Sequence, residues 1–323
     1  MGEAPEVHRQ LLSILNDLAY PPEAEVGDFA ARRVDGGANN ILYRVTGRGR
    51  DWAYKFCTRD ARQRAWREYL ALCAIDRAGL AVAPKPVLLD QASWSLDVVV
   101  QTWLDGEVSD APPTTDAEWQ ELVTLYNRVH TLTCSDRNLP VPPAVQSAST
   151  AEDCVRLVQE QLVLLPDTAR PEALTRLVMR LEGTRFASWP QPAQVLCHID
   201  SNTTNLIRRP EGWCAVDWEN AGRSDPALDM AELITHAAYT DVGLERWQWL
   251  TAAYSREAGD RYMALRIHTY WRILAVWWVA RMARYLYEVP RGQDERLVKR
   301  SHGWLDGARH KLAHYIELAD SIL

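Results

Sequence analysis

The patterning of the chain changes near Asp105-Gly106, and this change constrains the fold more than any other feature. Before it, an opening helix at about 4–19 is followed by strand-like apolar or alternating runs between Gly, Asp or Pro turns. These runs are VGDFAARRV, NILYRV, DWAYKFC, KPVLLD and WSLDVVVQTW. After it, helices are expected at about 115–133, 151–165, 171–185, 226–239, 243–257, 260–288 and 293–321. We predict an α+β fold with two lobes: a small N-terminal antiparallel-sheet lobe, 1–101, and a larger, mainly helical lobe, 102–323, with a hinge at about 101–107.

The composition narrows the classes of function. The chain has 323 residues, of which 47% are hydrophobic and 24% charged, as is ordinary for a soluble globular protein. A net charge of −7 argues against nucleic acid as a partner, although it would suit a cationic small substrate. Six cysteines without a CxxC pair indicate neither a zinc site nor a disulfide framework. The start is not typical of a signal peptide, and the longest apolar run, 273–280, is too short to span a bilayer. We expect a cytoplasmic protein without a membrane partner; the oligomeric state stays open.

Four polar residues in one short stretch indicate the chemistry. His198, Asp200 and Asn205 follow the strand-like run VLC, Asp217 follows the run WCAV, and the sequence RRPEGW predicts a hairpin before Asp217. Phosphoryl transfer needs a carboxylate at the attacking hydroxyl and hard oxygen ligands for Mg²⁺. We predict that Asp200 accepts the hydroxyl proton and that Asn205 and Asp217 bind Mg²⁺. The alternative is that all three are turn or strand-end residues; His198 is expected to be structural.

The N-terminal part supplies a candidate phosphate-binding cation. Lys55 lies among apolar and aromatic residues in WAYKFC, where a buried ammonium needs a counter-ion. Glu68, on the helix expected over 61–79, is the predicted partner, and such a pair can hold the α- and β-phosphates. The alternative is an edge strand with a snorkelling lysine.

Two further segments are candidates for nucleotide contacts. The Gly36-Gly37 turn, continuing through Asn39 and Asn40, lets backbone amides approach phosphates, although most such turns are plain hairpins. The segment 98–107 lies between the two parts, and its residues Gln101 and Trp103 are predicted to contact adenine. A plain linker would have the same sequence. No GxxxxGK[ST] motif is present, which excludes the P-loop class.

Two features describe the acceptor. Only the seven residues 218–224 separate Asp217 from a helix that begins at Pro226 with Asp225 as its cap, so there is no room for a peptide-docking segment. The acceptor is therefore expected to be a small molecule. The aromatic helix 270–289 is predicted to pack in the core, with Trp271, Leu274, Trp278 and Met282 inward. Alternatively its rings form a wall of the acceptor site, for a sugar or a quaternary ammonium.

These residues together resemble the aminoglycoside phosphotransferase and choline kinase superfamily, which has a protein-kinase-like fold. The resemblance covers nearly the whole chain and is carried by GGANNILYRV, Lys55, Glu68, VVVQTWLDGE, His198 to Asn205, and DWENAGRSDPALDMAEL. It implies ATP, Mg²⁺, an acceptor pocket in the helical lobe, and Asp200 as catalytic base. The catalytic loop departs from the usual HGDLHPGN at Ile199 and at 201–204, so its acceptor contacts are expected to differ.

The resulting hypothesis is an ATP- and Mg²⁺-dependent O-phosphotransferase, with GTP as a possible nucleotide. Its acceptor is a hydroxyl of a small molecule, either aminoglycoside- or antibiotic-like or another small alcohol. One alternative is a choline- or ethanolamine-type kinase, which needs a ring of aromatic side chains. Another, of a different class, is a nucleotide-binding protein without turnover. Superfamily membership does not name the acceptor.

Overall fold

The N-terminal lobe is built on one antiparallel sheet. The computed structural model describes residues 5–34, 40–133, 141–293 and 303–323. Six strands pair in the order β1-β2-β3-β4-β6-β5. Their bounds are β1 Glu23–Val26, β2 Phe29–Val34, β3 Asn40–Gly47, β4 Arg50–Cys57, β5 Pro86–Asp90 and β6 Asp97–Thr102. The predicted antiparallel-sheet lobe is therefore confirmed. The run 26–34 is not one strand, because a turn at Gly27, whose φ is +58°, separates β1 from β2.

Two helices cover this sheet, α1 (Pro5–Asp17) and α2 (Arg64–Arg77). Side chains alternate along β4, so Tyr54 and Phe56 pack with Leu12 of α1 in one core cluster. Lys55 and Cys57 point to the opposite face, where Cys57 packs with Ala65 of α2. The alternation therefore turns Lys55 towards α2.

The C-terminal lobe is mainly helical, as predicted. Its helices are α3 Asp116–His130, α4 Ala151–Val163, α5 Glu172–Gly183, α6 Pro226–Thr235, α7 Leu244–Ala258, α8 Met263–Glu288 and α9 Gly303–Ile322. Helix α6 ends four residues before its predicted end, because the chain turns at His236 and Tyr239 donates its N–H to the His236 carbonyl at 2.9 Å. Residues 294–302 of the last predicted helix lie outside the described residues.

The long helix α8 forms the centre of this lobe and packs against α4, α6 and α9. Trp271, Leu274 and Met282 are buried, as predicted for a core helix, whereas Trp278 is only partly buried. No helix within the described ranges is long and apolar enough to cross a membrane.

Short strands carry the polar loops of the C-terminal lobe. They are β7 Glu107–Val108, β8 Val195–Cys197, β9 Leu206–Arg208, β10 Cys214–Ala215 and β11 Gly222–Ser224. The antiparallel pairs are β7 with β9, β9 with β10, and β8 with β11. These ladders place the loop 198–205 and the segment 216–221 beside each other.

Candidate active site

The predicted hairpin brings Asn205 and Asp217 to one end of two strands. Leu206 pairs with Ala215, and the N–H of Val216 donates to the carbonyl of Asn205 at 2.9 Å. Asn205 and Asp217 each lie next to this last rung of the ladder. The turn RRPEGW therefore sets the register that the predicted metal site needs.

Lys55 forms ion pairs with two carboxylates from different parts of the chain. Its Nζ lies 2.7 Å and 2.9 Å from the oxygens of Glu68 and 2.6 Å from Oδ1 of Asp217. Lys55 is 6% exposed and Glu68 is fully buried. The edge-strand interpretation of Lys55 is wrong, because β4 lies between β3 and β6. The ammonium thus links β4 and α2 to the segment after β10.

Both charges of the Lys55–Asp217 pair are favoured at neutral pH. Burial opposes the charge of Lys55, but Asp217 and Glu68 outweigh it and hold the Lys55 pKa well above its usual value. Burial likewise opposes ionisation of Asp217, yet Lys55 dominates and keeps the Asp217 pKa below its usual value. Asp217 itself has a left-handed backbone, with φ +66°, an uncommon conformation for a residue other than glycine.

Asp200 faces a cavity and is held by an amide that the sequence analysis did not identify. Nδ2 of Asn220 donates to Oδ2 of Asp200 at 3.1 Å, and a quarter of the Asp200 side chain is exposed. Burial, followed by the charges of Asp217 and Glu219, raises the pKa of Asp200 to about 7. His236 Nε2 lies 3.8 Å from Oδ1, but burial lowers the His236 pKa to about 3, so this imidazole is neutral and forms no ion pair.

Asn205 and Asp217 form a donor set that fits Mg²⁺. Nδ2 of Asn205 donates to the carbonyl of Asp200 at 3.3 Å, which leaves the amide oxygen as the group able to bind a cation. Asp217 adds a carboxylate of which a third is exposed, and Lys55 occupies only its Oδ1. An amide oxygen and a carboxylate are the hard ligands that magnesium prefers.

A buried network fixes the loop that carries Asp200. The carboxylate of Asp229 accepts the N–H groups of His198 at 2.7 Å and Ile199 at 2.9 Å, and it also contacts His130 Nε2 at 3.0 Å. These bonds hold Ile199 in a left-handed conformation, with φ +55°, next to Asp200. His198 Nε2 lies 2.9 Å from the carbonyl of Val216. The structural role expected for His198 is confirmed, and Asp229 anchors the loop that carries Asp200.

The predicted cap of α6 is also confirmed. The side chain of Asp225 accepts the N–H of Ala227 at 2.9 Å. The same carboxylate pairs with Arg266 Nε at 2.8 Å and accepts the hydroxyl of Tyr270 at 3.0 Å. Asp225 therefore joins α6 to α8.

Glu219 connects the two lobes, a role that the sequence analysis missed. One of its oxygens forms a buried ion pair with Arg64 of α2, and the other accepts Nδ2 of Asn40 at 2.9 Å. The sequence did contain a signal for this contact. Arg64 precedes Glu68 by one helical turn, and Glu219 follows Asp217 by two residues, so each predicted site residue has a further charged residue close to it. Asn40 thus lies at the junction of the lobes, while Gly36, Gly37 and Asn39 lie outside the described residues.

The predicted adenine contacts lie at the end of β6. Gln101 is buried, and Trp103 follows the strand, with the guanidinium of Arg44 4.9 Å from its ring centroid. The N–H of Trp103 already donates to the carbonyl of Asp51 at 3.0 Å, so an adenine here would need other backbone groups of this segment.

A cavity of about 340 Å³ opens beside Asp200 in the C-terminal lobe. Helix α8 contributes aromatic and basic side chains to its wall, and α4 and α6 contribute acids. The lining includes Glu160, Glu219, Asn220, Glu232, His236, Trp277, Trp278, Arg281, Arg284 and Tyr285. Of the four α8 residues that were predicted to point into the core, only Trp278 lines this cavity.

Comparisons with known proteins match this architecture. The family model for the phosphotransferase enzyme family matches residues 30–268. No curated protein sequence matches the chain significantly. A Ralstonia eutropha JMP134 protein provisionally assigned to the aminoglycoside phosphotransferases has a TM-score of 0.69 and 15% identity, covering 98% of this chain and 99% of the other.

Two further solved structures share the fold. Spectinomycin phosphotransferase in complex with ADP and spectinomycin has a TM-score of 0.61 and 14% identity, covering 97% and 98% of the two chains. The choline kinase of Streptococcus pneumoniae has a TM-score of 0.59 and 13% identity, covering 98% and 99%. These likenesses confirm the predicted protein-kinase-like fold, and the family match confirms the resemblance drawn from the sequence. The chain belongs to the phosphotransferase enzyme family.

Proposed function

We propose that the protein transfers the γ-phosphoryl group of ATP, with Mg²⁺, to a hydroxyl group of a small molecule. The observation that carries this proposal is the position of Asp200, whose carboxylate is oriented by Asn220 and opens onto the cavity. Asn205 is hydrogen-bonded to the backbone of the same residue, so the base and the metal ligands share one loop. This is the arrangement that in-line phosphoryl transfer requires.

The reaction would begin with the acceptor hydroxyl bound at Asp200. The hydroxyl oxygen forms a bond to the γ-phosphorus while the bond from that phosphorus to the β,γ-bridging oxygen breaks, so that ADP leaves. The hydroxyl proton passes to Asp200 and then to solvent. A carboxyl group with a pKa of about 7 suits this task, because it is partly ionised at neutral pH and still accepts a proton.

Lys55 and the metal ligands would act on the nucleotide. Lys55, fixed by Glu68, would bind the α- and β-phosphates, and Asn205 and Asp217 would hold Mg²⁺. Bound there, Mg²⁺ supplies positive charge against the phosphate oxygens. We assign the turn with Gly36, Gly37 and Asn39, ending at Asn40, to the phosphates, and Gln101 and Trp103 to the base, which leaves both ATP and GTP as candidates.

Related structures support the use of a nucleotide. The spectinomycin phosphotransferase was solved with ADP, and a hygromycin B complex of another aminoglycoside phosphotransferase, APH(4)-Ia, was solved with AMP-PNP. In each complex a small molecule is bound together with the nucleotide: spectinomycin in the first and hygromycin B in the second. We extend nucleotide use and a small acceptor to this chain as part of the proposal.

Replacement of Asp200 by Asn tests the proposal. ADP release in the presence of a library of small alcohols should fall by about 10³-fold or more, because the base is lost, while calorimetry should give an unchanged ATP affinity. Asp306→Asn, at an exposed position on α9, is the control for a lost carboxylate. Near-normal turnover by Asp200→Asn would refute the base assignment. If the unmodified protein binds ATP but releases no ADP with any acceptor, the result would instead favour a nucleotide-binding protein without turnover.

A further inference from the structure

Arg281 of α8 is a buried cation in the wall of the cavity that Asp200 faces. The residue is 8% exposed. The guanidinium lies over the ring of Tyr285, 4.1 Å from the centroid, and donates to the Tyr285 hydroxyl at 2.7 Å. Within the described ranges, no carboxylate forms an ion pair with it. A phenol is therefore the only polar partner that the described protein gives this charge.

This arrangement differs from that of Arg284, one turn further along the same wall. Arg284 pairs with Glu288 at 2.5 Å and donates to Gln161 at 3.2 Å. A buried guanidinium without a counter-ion loses hydration that a single phenol does not replace. An anion in the cavity would provide the missing partner for Arg281.

The carboxylates of the cavity do not fill this role. Glu219 is paired with Arg64 of α2. Glu232 accepts the N–H of Ser201 at 3.1 Å. Glu160 is exposed on α4. Glu219 and Glu232 thus already have partners within the protein, and Glu160 is exposed to solvent. The remaining acid of the cavity, Asp200, is the proposed base.

The aromatic side chains do not form a free cage for an ammonium group. The ring of Tyr285 is covered by the guanidinium of Arg281. The ring of Trp278 stacks on Tyr315 with centroids 5.3 Å apart and planes at 7°, and Trp277 is only 9% exposed. Cation–π binding needs an accessible ring face. The second interpretation of helix 270–289, a ring wall for a quaternary ammonium, therefore has little support here.

We propose that the acceptor carries a carboxylate-like anionic group, which Arg281 binds while the reacting hydroxyl lies at Asp200. This inference rests on the proposed function and names its substrate class: small hydroxylated acids. The cavity volume of about 340 Å³ is at the lower end of the range for ligand pockets, which suits a molecule of one ring or a short chain. The anionic group takes no part in bond making, so the transfer step is unchanged.

The test uses small alcohols arranged in matched triplets of acid, neutral and amine. One triplet is glucuronate, glucose and glucosamine; another is hydroxybutyrate, hydroxybutyramide and aminobutanol; a third is built on benzyl alcohol. ADP release is measured with the full-length protein, ATP and Mg²⁺. The acid of at least one triplet should have a kcat/KM about 10-fold or more above its neutral and amine counterparts. Preference for neutral or amine members overturns the inference but leaves the proposed function intact, whereas no turnover of any member contradicts the proposed function itself.

Variants at position 281 show where the anion binds. With the preferred acid, Arg281→Gln should raise the acceptor KM by about 10- to 100-fold and leave the KM for ATP unchanged, and Arg281→Lys should restore part of the loss. Arg291→Gln is the matched control, because Arg291 lies 4.0 Å from the Tyr287 ring in the same way but is exposed and outside the cavity. A rise in the KM for ATP instead would mean that Arg281 binds the phosphates of the nucleotide, and an unchanged acceptor KM would also refute the assignment.

Discussion

Glu232 is a buried carboxyl group whose ionisation opposes folding. It lies on α6, is 6% exposed, and accepts the N–H of Ser201 at 3.1 Å. Burial raises its pKa from an ordinary value near 4.5 to about 8, and the charges of Asp200 and Asp229 add to the rise. Because the folded-state pKa is the higher one, protonated Glu232 stabilises the fold below about pH 4.5. That contribution is lost as the pH rises through about 8.

The variant Glu232→Gln should therefore change the pH dependence of stability. Gln can still accept the Ser201 N–H but carries no charge, so the free energy of unfolding of the variant should match that of the unmodified protein near pH 4. Near pH 9 the unfolding free energy of the variant should exceed that of the unmodified protein by roughly 2–4 kcal/mol. Urea denaturation across this pH range measures the difference. Glu160→Gln, at an exposed position, is the control, and a difference that stays constant with pH would contradict the prediction.

Single residues differ in how far the sequence specifies their role. Lys55 could be predicted because a lysine inside an apolar strand must find a counter-ion, and Glu68 is close along the chain. Its contact with Asp217 spans 162 residues and depends on the docking of the lobes. Arg281 gave no such signal, because a helix of this composition looks the same whether an arginine faces solvent or a cavity.

At the scale of elements, a buried ion pair is one of the contacts that attach helix α2 to the C-terminal lobe, together with the bonds from Arg67 to the carbonyls of Pro143 and Ala221. Arg64 binds Glu219 in the 3₁₀ turn Trp218–Asn220, and its Nε also pairs with Asp60 at 2.8 Å. Both Arg64 and Glu219 are nearly fully buried. The position of Glu68, and hence of the Lys55 ammonium, thus depends on how α2 contacts this turn.

Removing one partner of this pair should be costly. Arg64→Met leaves a buried Glu219 with Asn40 alone and should lower the free energy of unfolding by about 3–5 kcal/mol. The double variant Arg64→Met with Glu219→Gln should cost less than the sum of the two single changes, because no uncompensated charge remains. Urea denaturation of the four proteins measures this coupling. Arg309→Met, which breaks an exposed pair with Asp306, should have little effect. A coupling energy near zero would show that the pair does not hold α2.

The elements that were predicted well are those with local signals. The hairpin of β9 and β10 follows from a turn-forming sequence, and α8 follows from its apolar spacing. The predicted end of α6 was wrong, because apolar residues such as Tyr239 continue beyond the helix. Tyr239 is buried by packing against α3 and α7 and not by belonging to α6. The pairing of β8 with β11 has no local signal at all.

At the scale of the whole molecule, the contacts that join the lobes at the proposed nucleotide site include, among the described residues, Lys55 with Asp217, Arg64 with Glu219, and Asn40 with Glu219. A ligand bound between the lobes contacts both and stabilises them together. ATP with Mg²⁺ at a hundredfold excess over its Kd should therefore add about 2–3 kcal/mol to the stability. The boundary at about 101–107 remains a prediction.

Thermal unfolding should separate the metal from the nucleotide. ATP with Mg²⁺ should raise the Tm of the unmodified protein more than ATP with EDTA, because the metal ligands add to nucleotide binding. Asp217→Asn should remove most of this Mg²⁺-dependent difference, whereas Asp306→Asn should preserve it. An equal gain with and without Mg²⁺ in the unmodified protein would argue against a metal site at Asn205 and Asp217.

Lys55 already neutralises Asp217 before any cation arrives, since the two side chains are 2.6 Å apart. The charge of Asp217 is therefore balanced within the protein and does not need a divalent ion to offset it. We therefore expect the polypeptide to fold in the presence of a chelator, and in the proposed mechanism magnesium is needed for turnover rather than for folding.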